Sequence, residues 1–454
     1  MSPVFTETPV PVGGLPLQPL ADMALDYARQ HGAGQAVVNV SQGERSTLRF
    51  RHGDIDRLTQ NHGQHLSVTL LHGQRLGSVS TTQLTPEGIR SAVASASTLA
   101  RYGDEDADSG LPEPEWLATR FFDLALFNAD ELSAEETREW VLRTEQAINA
   151  VNPALCRSEG AEITSWRGSF VLANSMGFCA GYPSSTHTLW GHALAKQHGD
   201  RQQGYWRDTR RSPLLLASPE QTGRTAAERA IRQLGAQSLS TRRCPVLFEA
   251  PVAHSLVHHL VSALSGGSLY HNASFLGLCA GESVAAEHLS LREDPFIPGA
   301  LFSGCFDGEG VAGSEREVIE GGVVNGYFLG SYSARRLGLR STGNGGRKWN
   351  LHLRSSQTQA GDDLPSLVRR MHRGLLVTTL LGSGQNLVTG DYSQGVAGLW
   401  VENGEIQYPV AGITIAGNLK TMLRQVAALG ADEHSQGNLR CGSLLINEMQ
   451  VAGH

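Results

Sequence analysis

Three histidines crowd one short segment of this chain. Ala253-His254-Ser255-Leu256-Val257-His258-His259-Leu260 follows Val246-Leu247-Phe248, an apolar run that reads as a short buried strand. Neutral imidazole is a common zinc ligand, and two from one helix fix part of a tetrahedral shell. Helix pitch decides which two can pair. On a regular α-helix His254 and His258 share a face, whereas His254 and His259 lie ~140° apart. The second pair converges only where the helix widens, as in a π-bulge, and such bulges favour functional sites. A zinc hydrolase of this type also needs a base beside the first histidine, the role of Glu in H-E-x-x-H. Here that position is Ser255, whose hydroxyl is no base near neutral pH without help. The alternative is that these histidines are capping or core-edge residues.

Other candidates are less dense. The turn Gly390-Asp391-Tyr392-Ser393 could place Asp391 and Tyr392 in a substrate channel, or could be an Asx-type turn entering a strand. Gly343-Asn-Gly-Gly346 is no phosphate loop, because no GK[ST] follows, and it reads as a mobile loop flanking the channel. No G-x-S-x-G elbow supports a serine hydrolase. The cysteines include no CxxC pair, and Cys441 by itself reads as a small buried hydrophobe.

The elements that must position these groups fall into two halves. In the first, Gln18 to Gln30 has helical spacing and Gln35 to Arg51 alternates like a strand. Leu66–Leu71 and Leu76–Ser80 read as a hairpin with a loop of about four residues. Thr85-Pro86-Glu87 opens a helix to about Tyr102, and Ser133 with Glu136 forms a capping box. Ser218 caps another helix ending near Gly235. Residues 236–245 are polar and aperiodic, and the boundary is expected there, with domains at 1–240 and 241–454. Beyond it, strands dominate. Asn325-Gly326 and Asn403-Gly404 each suit a type I′ hairpin turn. Asn418 caps a helix to about Ala428, and Leu444 to Val451 is a last strand. The fold class expected is α+β.

With 37 basic against 44 acidic residues the formal charge is −7, which argues against direct nucleic-acid contact. No apolar run approaches the ~20 residues of a membrane-spanning helix. The start MSPVFTETPVPVGG has neither a basic nor an apolar signal region, so a cytoplasmic protein with reduced thiols is expected.

Several stretches together carry a resemblance. They include Ser262-Ala-Leu-Ser-Gly-Gly-Ser-Leu-Tyr270, Leu329-Gly-Ser-Tyr-Ser-Ala-Arg-Arg-Leu-Gly338 and Met371-His-Arg-Gly-Leu-Leu-Val377. Val388-Thr-Gly-Asp-Tyr-Ser-Gln-Gly395, Gly398-Leu-Trp-Val-Glu-Asn-Gly-Glu-Ile-Gln407 and Ile413-Thr-Ile-Ala-Gly-Asn-Leu419 complete the set. Over nearly its whole length the chain resembles the TldD/PmbA family, once called modulators of DNA gyrase, and specifically its PmbA (TldE) branch. The resemblance implies two large domains, the second mostly β and barrel-like. It implies a pair of related subunits acting as a cytosolic metalloprotease on unfolded peptides. The TldD-type subunit binds zinc through H-E-x-x-x-H and a later Cys. On this pattern His254 and His259 fall at the histidine positions, Ser255 replaces Glu, and Cys441 falls near the Cys position. The family spacing favours His259 over His258 as second ligand.

Three functions follow as expectations. The chain is the PmbA-type partner of a TldD-type catalytic subunit, a homodimer when isolated, with no complete catalytic site of its own. Otherwise it is a metal-dependent peptidase with another base, or a regulator binding a protein such as gyrase. The cofactor is none or zinc.

Overall fold

The computed structural model describes residues 17–453, so the expectation about the first fourteen residues lies outside the described residues. In chain order the first half comprises α1 (Gln18–Gln30), β1 (Gln35–Arg51), β2 (Asp54–His72), β3 (Arg75–Thr81), α2 (Pro86–Tyr102), α3 (Ala134–Val151), β4 (Cys156–Asn174), β5 (Cys179–Gln197), β6 (Asp200–Arg210) and α4 (Pro219–Ile231). The six strands form one antiparallel sheet in the order β3-β2-β1-β4-β5-β6. Val38, Val40, Leu48 and Phe50 recur at even spacing on β1, so they share one face of the sheet. α1 and α2 cover one end of that face, packing on Val38 and Val40. α3 covers the other end over Leu48 and Phe50. α4 lies close to β6 because Gly204 has no side chain: a Cβ there would come within 2.3 Å of the Ala226 carbonyl oxygen.

The second half comprises β7 (Arg242–Phe248), α5 (Ala250–Ala263), α6 (Gly266–Tyr270), β8 (Leu289–Asp294), β9 (Arg316–Glu320), β10 (Val323–Val324), α7 (Ser331–Arg336), β11 (Asn350–Ser355), α8 (Leu364–Met371), β12 (Gly374–Leu381), β13 (Asp391–Glu402), β14 (Glu405–Asn418), α9 (Leu419–Arg424), β15 (Val426–Leu429), β16 (His434–Gln436), β17 (Leu439–Cys441) and β18 (Leu444–Ala452). One sheet runs β14-β13-β12-β7-β18-β15 and closes into a barrel through β14 and β18. The other runs β10-β9-β8-β11-β17-β16. The fold is therefore α+β, with an antiparallel sheet first and a closed barrel second.

The caps read from sequence are present. Thr85 accepts from Gly88 N, Ser133 and Glu136 form the capping box, and Ser218 accepts from Gln221 N. Asn403-Gly404 is the β13–β14 turn, with φ of 55° and 75°. Four details differ. The β2–β3 loop is only Gly73-Gln74, because His72 and Arg75 still pair. The hairpin expected at Asn325-Gly326 turns instead at Gly321-Gly322, between paired Glu320 and Val323, where both glycines have positive φ. α4 ends at Ile231, short of Gly235. The helix capped by Asn418 stops at Arg424, because Val426 and the residues after it pair with β18.

Candidate functional site

α5 carries the three histidines. Pro251 sits in its first turn, where a missing N–H costs no helical bond. Ser443 Oγ accepts from Ala250 N at 2.9 Å, serving one of the orphan donors at this end. The apolar residues Val252, Leu256, Val257, Leu260 and Val261 are buried, and the helix lies between β12 of the barrel and β16–β17 of the second sheet.

The helix is regular over its whole length, and its histidines face different neighbours. His254 is 3 % exposed, and its Nε2 lies 3.0 Å from the His434 carbonyl oxygen. Its ring meets the His434 ring at 5.6 Å. His434 pairs with Cys441 across β16 and β17. His259 turns the other way. Its Nε2 lies 3.2 Å from Ser255 Oγ, and its ring meets Tyr392 at 6.1 Å. Burial lowers the pKa values of His259 and His434 to about 4, so both are neutral near pH 7. Burial, and then the charges of Asp432 and Glu433, push the Cys441 thiol far above its ordinary value. A thiol so placed is not a thiolate, the form that binds metal.

Zinc fits this arrangement poorly. Among the described residues no three His, Cys, Asp or Glu side chains are grouped to hold a metal ion. The histidine pair of the family spacing is split between two sides of an unwidened helix, and each ring already has a partner.

Asp391 is exposed and opens β13 just after a turn, accepting from Thr389 Oγ1 at 2.7 Å and from Asn418 Nδ2 at 3.2 Å. Tyr392 is 1 % exposed, and its hydroxyl has no partner among the described residues. Neither lines either of the cavities near α5. The Gly343–Gly346 loop does flank one of them, but it is tethered. Asn344 donates to Glu293 at 2.7 Å, and Gly345 N donates to Asp307 at 2.6 Å.

Two cavities lie near α5, and the smaller is lined by residues of the helix itself. A cleft of about 1020 Å³ lies between the halves, walled by Arg207–Ser212 from the first and by β11, β16 and β17 from the second. It reaches His434. A cavity of about 660 Å³ lies beside α5 and is lined by His258, Tyr270, Glu309, Tyr332 and Lys348. Phe302 and Asn438 line both, so the two spaces adjoin. The sequence reading missed His434, Trp206 and the cations of these walls. Trp206 of β6 meets the His434 ring at 5.0 Å, and so links the first half to His254. Nothing in local spacing signals these partners, since they come from distant strands.

The described residues thus form an α+β protein in which the histidine helix packs behind His434, a residue lining the cleft between the two halves. The chain belongs to the PmbA/TldA metallopeptidase family. The family models match as domain 1 over residues 36–100, the central domain over 127–234 and the C-terminal domain over 241–453. It is 38 % identical to Metalloprotease PmbA of Escherichia coli O157:H7, covering 96 % of each chain. It is 35 % identical to the Metalloprotease PmbA homolog of Haemophilus influenzae, again over 96 % of each. A protein of Bacteroides thetaiotaomicron described as a candidate modulator of DNA gyrase superposes with a TM-score of 0.90 at 26 % identity. The match covers 96 % of this chain and 99 % of that one. TldE from Thermococcus kodakarensis shares the fold, with a TM-score of 0.81 at 18 % identity over 96 % of this chain and all of that one.

Proposed function

We propose that this chain is the PmbA/TldE-type subunit of a cytoplasmic two-subunit metalloprotease acting on unfolded peptides, shaping the channel without cutting. The observation that carries this is Ser255. It stands where the family motif has its Glu, and its hydroxyl is engaged with His259 Nε2. Zinc-bound water in a peptidase needs a proton acceptor, and the hydroxyl is not one. The partner is a TldD-type subunit with an intact H-E-x-x-x-H, and the isolated chain is a homodimer. His254, His259 and Cys441 are the ligand set if a metal enters. That requires His259 to leave Ser255 and the Cys441 thiol to ionise.

The adjoining cavities suit an extended peptide. An interdomain cleft is a common place for a ligand site. β16 is an edge strand of its sheet, and its Ser435 and Gln436 line the cleft. Main-chain pairing along such an edge is tolerant of sequence, which suits broad substrates. The test is hydrolysis of an unfolded peptide by the purified chain, alone and with a TldD-type partner. Turnover is expected only with the partner. Chelator-sensitive turnover by the chain alone would overturn the reading.

A further inference from the structure

The cleft between the halves is basic in an acidic chain. Six arginines and two aspartates line it. Most of these arginines are neutralised locally. Arg210 pairs with Asp208 at 3.1 Å, Arg292 with Glu315, Arg354 with Glu317 and Arg440 with Glu433. Ion pairs of this kind need no ligand.

Arg211 is different. It is 8 % exposed, and it donates only to main-chain oxygens, those of Ser185 at 3.0 Å, Ala300 at 3.1 Å and Leu301 at 2.7 Å. Arg347 grips the same 300–303 loop from the other side. It donates to Tyr182 Oη at 3.1 Å and to the carbonyls of Phe302 and Ser303 at 3.4 and 3.5 Å. The two guanidiniums are close enough to repel, and burial works against the Arg211 charge more strongly still. Each keeps a buried Nε without a partner among the described residues. The next residue, Lys348, lies over the Phe328 ring at 5.9 Å. Its half-buried ammonium makes no ion pair or hydrogen bond among the described residues; burial opposes its charge, the Glu293 carboxylate favours it without touching it, and the charge acts in turn on His258.

These three cations follow one wall. Arg211 lines the cleft, Arg347 and Lys348 line the cavity beside α5, and Phe302 lies at the junction. Exposed Arg207, at the cleft mouth, also lacks a carboxylate partner among the described residues. Partly buried cations with no carboxylate in contact are held at a cost that an incoming anion relieves, though the Trp349 ring under Arg347 at 4.2 Å and the Glu293 charge near Lys348 offset part of it. A carboxylate matches guanidinium and ammonium donors in geometry and charge. We propose that Arg211, Arg347 and Lys348, with Arg207 at the mouth, form a carboxylate-binding track that selects acidic peptide segments or a free peptide C-terminus. This rests on reading the two cavities as the peptide channel.

The test is fluorescence anisotropy on the full chain with three labelled unstructured peptides of Gly, Ser and Ala. One carries several Glu residues and a free C-terminus. The second has Gln for Glu and a free C-terminus. The third has Gln and an amidated C-terminus. The first should bind roughly tenfold more tightly than the third, with the gap narrowing as salt rises. If the second matches the first, the terminal carboxylate is the ligand; if it matches the third, acidic side chains are. Lys348→Met and Arg207→Gln should each shrink the preference without weakening the third peptide. Equal binding of all three peptides, or an unchanged preference in both variants, overturns the track but leaves the channel. Failure of every peptide to bind overturns the channel reading and the track with it.

Discussion

Glu249, the residue that precedes the histidine helix, accepts from both terminal nitrogens of Arg232 on the far side of the domain boundary, at 3.1 and 2.7 Å. Arg229 adds a third contact at 3.1 Å, and its guanidinium also lies over the Trp206 ring at 5.5 Å. Burial by itself would raise the Glu249 pKa, but the two arginines outweigh it and hold the carboxyl below its ordinary value. The pair therefore joins α4 of the first half to the start of α5. The orientation of His254 depends on both halves, since the Trp206 ring meets the His434 ring at a tilt and the His434 ring meets the His254 ring edge-on.

Removing the carboxylate charge should be costly. Glu249→Gln leaves two arginines half-buried without their counter-ion, and breaking such a pair costs about 3–5 kcal/mol. Urea unfolding should show a loss of that order. A loss below about 1 kcal/mol would show that solvent already screens the cluster.

His187 should make stability depend on pH. It is 2 % exposed, its Nδ1 lies 2.8 Å from Ser165 Oγ, and its Nε2 has no partner among the described residues. Burial lowers its pKa to about 4. The unfolded chain, with an ordinary pKa of about 6.5, takes up the proton first as pH falls. Stability is therefore full above about 6.5 and is lost progressively toward pH 4, by about 1–2 kcal/mol between pH 7 and pH 5 for this one group. His259 and His434 act in the same direction, while Asp307, raised to about 7 by burial and then by Glu309, acts in the opposite one. Comparison of wild type with His187→Gln isolates the term. The variant should lose less stability than wild type on going from pH 7 to pH 5, and parallel losses would refute the assignment.

Metal content should not depend on His258. Its ring lines the cavity beside α5, where the Lys348 charge acts on it, whereas the His259 ring meets Tyr392. Elemental analysis of His258→Ala should match wild type, whatever that value is. Stoichiometric metal kept in His259→Ala but lost in His258→Ala would show that the same-face pair, His254 and His258, is the real one.

Tyr392→Phe removes a buried hydroxyl that finds no partner among the described residues. Stability should stay level or rise by up to about 1 kcal/mol, because an unpaired buried polar group is a liability. A clear loss in thermal or urea midpoint would mean that the hydroxyl holds an ordered water.

The sequence by itself determined the local elements of this protein. Thr85 before Pro86, the Ser133/Glu136 box and Asn403-Gly404 act through neighbours a few residues away, and each is where its chemistry places it. The alternation in Gln35–Arg51 likewise fixes which face of β1 is buried. Asn325-Gly326 misled because its turn chemistry is local while the register of β9 is set by β8, which places the turn at Gly321-Gly322. The histidine segment was legible as chemistry, but its outcome was not. Only the tertiary structure decided that His254 faces His434 and His259 faces Tyr392, because strands of two different sheets, β16 and β13, meet at α5. The cationic wall was invisible for the same reason. Whether an arginine is neutralised depends on which carboxylate the fold brings within reach, and Arg211 and Arg440 look alike until β16, β17 and the 300–303 loop assemble around them.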